Sequence, residues 1–246
     1  MRDYKIMNLD QINTKKQAQF LLKSMLAGIL IGMAGGIYLN CENKIVGAFL
    51  FSIGLIAVIL LEANLFTGKI GYVKVKSIKN ILQMFLMLIF NILMAFLIGL
   101  LFKGILAVDG AYPETSIIYK AFGANGPFGE ATIIGDTVIG GARLAKTWYQ
   151  IFFDGFGCGV LIYLAVELFK KTRNLIPVIL CVAAFILSGA EHSIADAFYL
   201  GASVLTPKAI GYLGLVILGN AAGSIAIHWL QMGAEQIHEI PSNIQR

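Results

Sequence analysis

Ser188-Gly189-Ala190-Glu191-His192-Ser193-Ile194-Ala195-Asp196 puts two carboxylates and an imidazole inside a segment that otherwise reads as lipid-embedded helix. The apolar run Leu175 to Leu187 precedes it, and Ala197-Phe198-Tyr199-Leu200 follows. A charged side chain at mid-bilayer costs roughly 2.5–3.5 kcal/mol even on the lenient insertion scale, so such residues face a cavity or a partner. Gly189 before the polar pair predicts an interruption of the helix. Broken backbone at that depth is tolerated only where it lines a cavity or is buried in protein. This stretch is therefore the leading candidate functional site.

Outward from it, the composition is that of a multi-pass membrane protein. Of 246 residues 58% are hydrophobic and 13% charged, with a mean hydropathy of +0.78, against about 25% charged in soluble domains. The net charge of +5 comes without a basic run interleaved with aromatics, so no nucleic-acid surface is expected. Cys41, Cys158 and Cys181 form no C-x-x-C pair, which argues against a disulfide framework or a metal site and for buried thiols. Neither metal nor cofactor is expected.

Hydropathy divides the chain into six spans: 20–39, 45 to about 75 with a polar interruption, 81–102, 148–169, 175–204 with the break above, and 209–230. Ile6, Leu9 and Ile12 among Lys5, Asp10, Lys15 and Lys16 make residues 1–19 an amphipathic surface segment facing the cytoplasm. Residues 20–233 form one transmembrane domain, with halves 20–107 and 148–233 joined by an external loop 108–147, in which 117–121 and 132–139 are short helices or re-entrant pieces. Residues 234–246 are a cytoplasmic tail. With both termini inside, thirteen of the nineteen Lys and Arg residues fall on the cytoplasmic side. The positive-inside bias thus places the protein in the inner (cytoplasmic) membrane in that orientation. The second span of each half is the broken one. The fold class is therefore all-α integral membrane, six helices in two inverted three-helix repeats, aquaporin-like, with the breaks meeting near the midplane.

The two breaks resemble those of the formate/nitrite transporter family. The first carries Ala63-Asn64-Leu65-Phe66-Thr67-Gly68, close to the family's Ala-Glu-Leu-Phe-Thr-Gly, with Asn64 in place of an acidic residue. The second carries Gly189-Ala190-Glu191-His192-Ser193-Ile194-Ala195-Asp196, close to Gly-x-Glu-His-Ser-x-Ala-Asn, with Asp196 in place of Asn. The last span holds the Gly-Asn-x-x-Gly element as Gly219-Asn220-Ala221-Ala222-Gly223, and the fourth matches only at Gly155, Cys158 and Ala165.

The resemblance implies a homopentamer of six-helix protomers in a lipid bilayer, each with its own pore for a small monovalent anion: formate, nitrite or hydrosulfide. It implies His192, Thr67, Glu191, Ser193 and Lys146 as pore residues, with Arg143 the substitute cation for Lys146. Leu55 and Phe185 become the apolar constrictions on either side of His192. Leu65, Phe66, Gly68, Gly189, Asp196 and Asn220 shape and pack the breaks. Thr67 is open to two roles, capping the helix after its break or lining the pore. Glu62, where the family has a small residue, is a buried carboxylate of undecided role.

The mechanism so implied is a pH-dependent channel or transporter, not an enzyme, in which His192 protonates the anion or relays a proton to it. An unperturbed imidazole titrates near 6.5, within the physiological range. Two other readings stand beside it: an aquaporin-like pore for neutral solutes, which lacks the Asn-Pro-Ala signatures here, and a redox-enzyme subunit carrying haem between His192 and His228.

Overall fold

The computed structural model describes residues 9–106, 132–134, 137–139, 143–202 and 206–238. Its helices are α1 (Leu9–Asn40), α2 (Lys44–Leu60), α3 (Phe66–Lys69), α4 (Ile78–Leu106), α5 (Trp148–Thr172), α6 (Ile176–Leu187), α7 (Ser193–Ala202) and α8 (Pro207–His238), with a 3-10 turn at Ile70–Tyr72. Among them α1, α4, α5 and α8 are long and apolar enough to cross a bilayer unaided, whereas α2 and α6 are apolar but shorter. The chain is a multi-pass membrane protein.

Local chemistry sets the helix ends. The Asn43 side chain accepts hydrogen bonds from the Ile45 and Val46 amides (2.9 and 3.2 Å), the N-cap arrangement that starts α2. Gln150 Oε1 accepts from the Thr147 amide at 2.8 Å at the start of α5. Pro177 opens α6, where its missing N–H costs nothing.

Three boundaries differ from those read in the sequence. Helix α1 runs unbroken through residue 20, so the polar segment and the first span are one helix; hydropathy marks where lipid begins, and a helix can extend past that point. Likewise α8 continues to His238, into the segment read as a tail. In the long connection, Thr132–Ile134 pairs antiparallel with Thr137–Ile139 as a short hairpin, where a short helix or a re-entrant piece was expected. Both runs are rich in Thr, Ile and Val, which favour strands. Residues 117–121 lie outside the described set.

The core lies between the two broken helices and their neighbours: α1 packs on α2, α4 and α7, while α5 packs on α6 and α8. Close approach there depends on glycine. A Cβ on Gly28 would strike the Asn91 carbonyl, and one on Gly159 the Asn220 carbonyl. Buried side chains fill the remainder, including Ile31, Leu55, Leu65, Val178, Val182, Ile194 and Phe198. Large apolar residues such as Leu82, Phe85, Leu93 and Leu218 stay exposed on the outer faces, as lipid contact requires.

Candidate functional site: two helix breaks joined at His192

Both breaks close with the same backbone hydrogen-bond scheme. Helix α2 ends with Glu62 at φ 51°, and α6 ends with Gly189 at φ 75°. The next residue's amide reaches back six residues inclusive to a helix carbonyl: Ala63 to Val58 at 2.9 Å, Ala190 to Phe185 at 3.0 Å. These are Schellman closures, which need a left-handed residue. Glycine supplies that conformation freely at Gly189, whereas Glu62 adopts it against its own preference.

Beyond the turn the equivalence continues. The Asn64 amide donates to the Lys23 carbonyl (3.0 Å) as the Glu191 amide donates to the Asp154 carbonyl (3.2 Å). The Phe66 amide donates to Asn91 Oδ1 (2.8 Å) as the Ser193 amide donates to Asn220 Oδ1 (2.9 Å). Asn91 Nδ2 donates to the carbonyls of Ser24 (2.7 Å) and Asn64 (2.9 Å). Asn220 Nδ2 donates to those of Gly155 and Glu191, both at 2.8 Å. Each asparagine, fully buried, thus satisfies one amide and two carbonyls that the break strips from the helix ladder. Asn220 was anticipated from its motif. Asn91 was not, although the one asparagine in the apolar third span, mirroring Asn220 in the sixth, was a usable signal.

In this correspondence Leu65 occupies the place of His192. The imidazole caps α7: its Nδ1 accepts from the Ala195 amide at 3.2 Å. A nitrogen that accepts carries no proton, so the neutral ring is the Nε2–H tautomer. Nε2 lies 2.8 Å from Thr67 Oγ1, and the ring donates that bond, which ties the two breaks together. Thr67 caps nothing of its own, since α3 has no side-chain cap.

Two cavities flank this junction. One, of about 240 Å³, is lined by Leu55, Leu65, Gly68, Lys69, Lys170 and Arg173 among others. The other, of about 60 Å³, is lined by His192 with Phe51, Phe185, Arg143, Asp196 and Tyr199 among its neighbours. Phe185 stacks on the His192 ring at 5.8 Å between centroids, and Phe51 meets Phe185 edge-on at 5.9 Å. Leu55 therefore faces one cavity, and Phe185 with Phe51, one helical turn before Leu55, faces the other. Phe51 was missed because an apolar residue in an apolar helix carries no mark of its own.

The charged residues sort differently from expectation. Glu191, 4% exposed at its side chain, pairs with Arg143 Nε (3.1 Å) and Lys146 Nζ (3.1 Å). Lys146 also holds Asp154 at 2.7 Å and lines neither cavity. Burial alone would lower the Lys146 ammonium, but the Glu191 and Asp154 carboxylates hold it above the ordinary lysine value. The cation lining the smaller cavity is Arg143, which reaches Asp196 Oδ1 at 3.4 Å as well. Its guanidinium stands over the Tyr199 ring at 4.9 Å. The Ser193 side chain is fully buried and lines neither cavity, and its amide donates to Asn220 Oδ1. Glu62, read as a buried carboxylate, is instead 82% exposed at its side chain and bound to Lys23 at 3.2 Å. Phe66 packs into a separate apolar cluster with Ile70 and Met87.

His192 and His228 belong to different networks. His228 Nδ1 pairs with the Tyr163 hydroxyl (3.0 Å), which donates in turn to Gln231 (2.9 Å). Among the described residues, no three His, Cys, Asp or Glu side chains gather as a metal site.

Comparison with known proteins adds the lineage. Residues 8–232 match the family model described as formate/nitrite transporter. The chain belongs to the formate/nitrite transporter family. A family member described as a probable formate transporter, from Methanothermobacter thermautotrophicus, is 29% identical over 216 residues, spanning 78% of this chain and 75% of the relative. Two solved structures share the fold, each with a TM-score of 0.67. An FNT family ion channel is 22% identical and covers 92% of this chain and 93% of its own. A pentameric formate channel with formate bound is 21% identical and covers 91% and 98%. Membership places this chain among membrane transporters and channels, not enzymes.

Proposed function

We propose that this formate/nitrite transporter family member is a pH-dependent pore for a small monovalent anion such as formate, nitrite or hydrosulfide. The permeant species passes between the two breaks, beside Thr67 and His192. The observation that carries the reading is the 2.8 Å contact from Thr67 Oγ1 to His192 Nε2, set between two cavities. The breaks, with their matching hydrogen bonds, are the crossing points of two inverted three-helix halves, α1–α4 and α5–α8. Six spans follow, α2 with α3 and α6 with α7 each counting as one. The basic residues of 69–79 and 170–173 then lie in the cytoplasm with both termini, and the membrane is the inner (cytoplasmic) one. The pentameric relative supports a homopentamer with one pore per protomer.

The chemistry follows from desolvation. An anion leaving water for an apolar passage bears a cost of several kcal/mol, which falls when a proton neutralises it. Thr67, taking the Nε2–H bond on its oxygen, is left with its own hydroxyl proton to offer the passing anion. A second proton on His192 has to sit on Nδ1, at the expense of the Ala195 bond and facing the positive end of α7. The imidazolium is therefore short-lived, a relay and not a resting charge. In one transfer a proton arrives at Nδ1, Nε2 releases its own toward Thr67, and the Thr67 hydroxyl passes one to the anion; the starting tautomer returns when Nε2 takes up a proton and Nδ1 gives its proton back, restoring the Ala195 bond. Leu55 on one side and Phe51 with Phe185 on the other exclude water at the transfer.

The test is formate, nitrite and hydrosulfide flux into liposomes holding the purified protein, compared at two pH values with chloride and glycerol as controls. Flux of the weak-acid anions that grows at lower pH supports the reading. Glycerol passage without anion flux contradicts it.

A further inference from the structure

We propose that Lys69 is the anion-collecting charge of this pore, and that the larger cavity it lines is where the anion is held before it meets Thr67 and His192. The proposal rests on the anion-pore reading and adds a residue and a direction to it.

The two breaks match residue for residue: Asn64 with Glu191 through their amide bonds, and Phe66 with Ser193 through the asparagine carbonyls. Three residues further, Lys69 falls opposite Asp196. Equivalent positions in one architecture thus carry opposite chemistry, an amide and an ammonium at the first break against two carboxylates at the second.

At the second break the positive charge is consumed. Arg143 is bound to Glu191 and Asp196, and Lys146 to Glu191 and Asp154. Asp196 Oδ2 is buried with no hydrogen-bond partner among the described residues. An anion approaching that cavity meets carboxylates at least as numerous as cations.

At the first break the balance is reversed. The Lys69 ammonium donates to Asn64 Oδ1 at 2.5 Å, a neutral partner that holds the side chain in place without cancelling its charge. Lys170 and Arg173 line the same cavity, against the single carboxylate Glu62, which Lys23 already binds. The Lys170 ammonium stands 3.5 Å over the Tyr72 ring and 4.0 Å from Glu167, so it too is placed. Much of the remaining wall is apolar, from Leu55, Val58 and Val166, and low-dielectric walls concentrate the field of the cations on the cavity. Lys69 lies two residues beyond Thr67 on α3, with Gly68 between them opening onto the cavity. A carboxylate or similar anion held by Lys69 is thereby delivered to the hydroxyl that completes its passage.

The experiment is formate current through the full-length protein in planar bilayers at low ionic strength, with orientation fixed by a tag at one terminus. Formate is supplied first on the Lys69 side and then on the Arg143 side. The wild type is expected to favour the Lys69 side, by about tenfold for a field of this kind, and to lose that preference as salt is raised. K69Q removes the Lys69 charge and N64D pairs it, and both are expected to bring the ratio of the two currents well toward one, the remainder coming from Lys170 and Arg173. An unchanged ratio in both variants overturns the proposal, as does a wild-type preference for the Arg143 side. No formate current at all in the wild type overturns the anion-pore reading along with it.

Discussion

Asn91 in α4 and Asn220 in α8 make the same three hydrogen bonds to the two helix breaks, one accepted from an amide and two donated to carbonyls. Both are fully buried in a setting where water cannot replace a lost partner. Each unsatisfied buried group costs about 1–3 kcal/mol.

Asn91→Leu and Asn220→Leu are therefore expected to destabilise the protein to a similar extent. Thermal unfolding of the detergent-purified oligomer measures this. Leu97→Ala on the exposed outer face of α4 serves as the control and is expected to shift the midpoint far less. A large loss from one asparagine and none from the other contradicts the matched construction of the breaks.

In the proposed pore Thr67 acts through its hydroxyl, which lies 2.8 Å from His192 Nε2. Thr67→Ser retains the bond to His192 and is expected to keep most of the anion flux. Thr67→Val keeps the shape, strands Nε2–H, and is expected to lower flux by about tenfold, the scale of one buried hydrogen bond. Liposome uptake of labelled formate distinguishes the two.

Arg143 balances two buried carboxylates. Arg143→Met leaves Asp196 without its cation and Glu191 with Lys146 alone, and breaking a buried pair from one side costs about 3–5 kcal/mol. Combining it with Glu191→Gln and Asp196→Asn is expected to restore much of the oligomer's thermal stability. Stability unchanged in the single variant contradicts the pairing.

Lys146 gives a pH signature. Its folded-state value is raised, so the stability it contributes is complete below the unfolded lysine value of about 10.4 and is lost only as pH rises through the higher folded value. The midpoint difference between wild type and Lys146→Met is accordingly expected to stay constant from about pH 6 to about pH 9 and to shrink above the ordinary lysine range.

Much of this architecture is legible in the sequence because lipid punishes exceptions. Glu191, His192 and Asp196 stand out in an apolar run, and Leu65-Phe66-Thr67-Gly68 interrupts another, so both breaks announce themselves. What stays hidden carries no such contrast. Asn91 is one amide among many leucines, Phe51 is apolar in an apolar helix, and both act only through partners far away in the chain. The choice between Arg143 and Lys146 depends on which side chain turns toward the cavity, and three residues of spacing do not determine that. The continuity of α1 past residue 20 escapes hydropathy, since a helix can leave the bilayer without ending.

The central claim is that His192 passes a proton while the small anion crosses. His192→Asn keeps a residue suited to capping α7 but removes the ring that bonds Thr67. Formate flux into liposomes, measured for this variant and the wild type across the pH range where imidazole titrates, is the direct test. The account requires wild-type flux to rise as pH falls and the dependence to flatten in His192→Asn, with the oligomer intact. An unaltered pH dependence in the variant contradicts it.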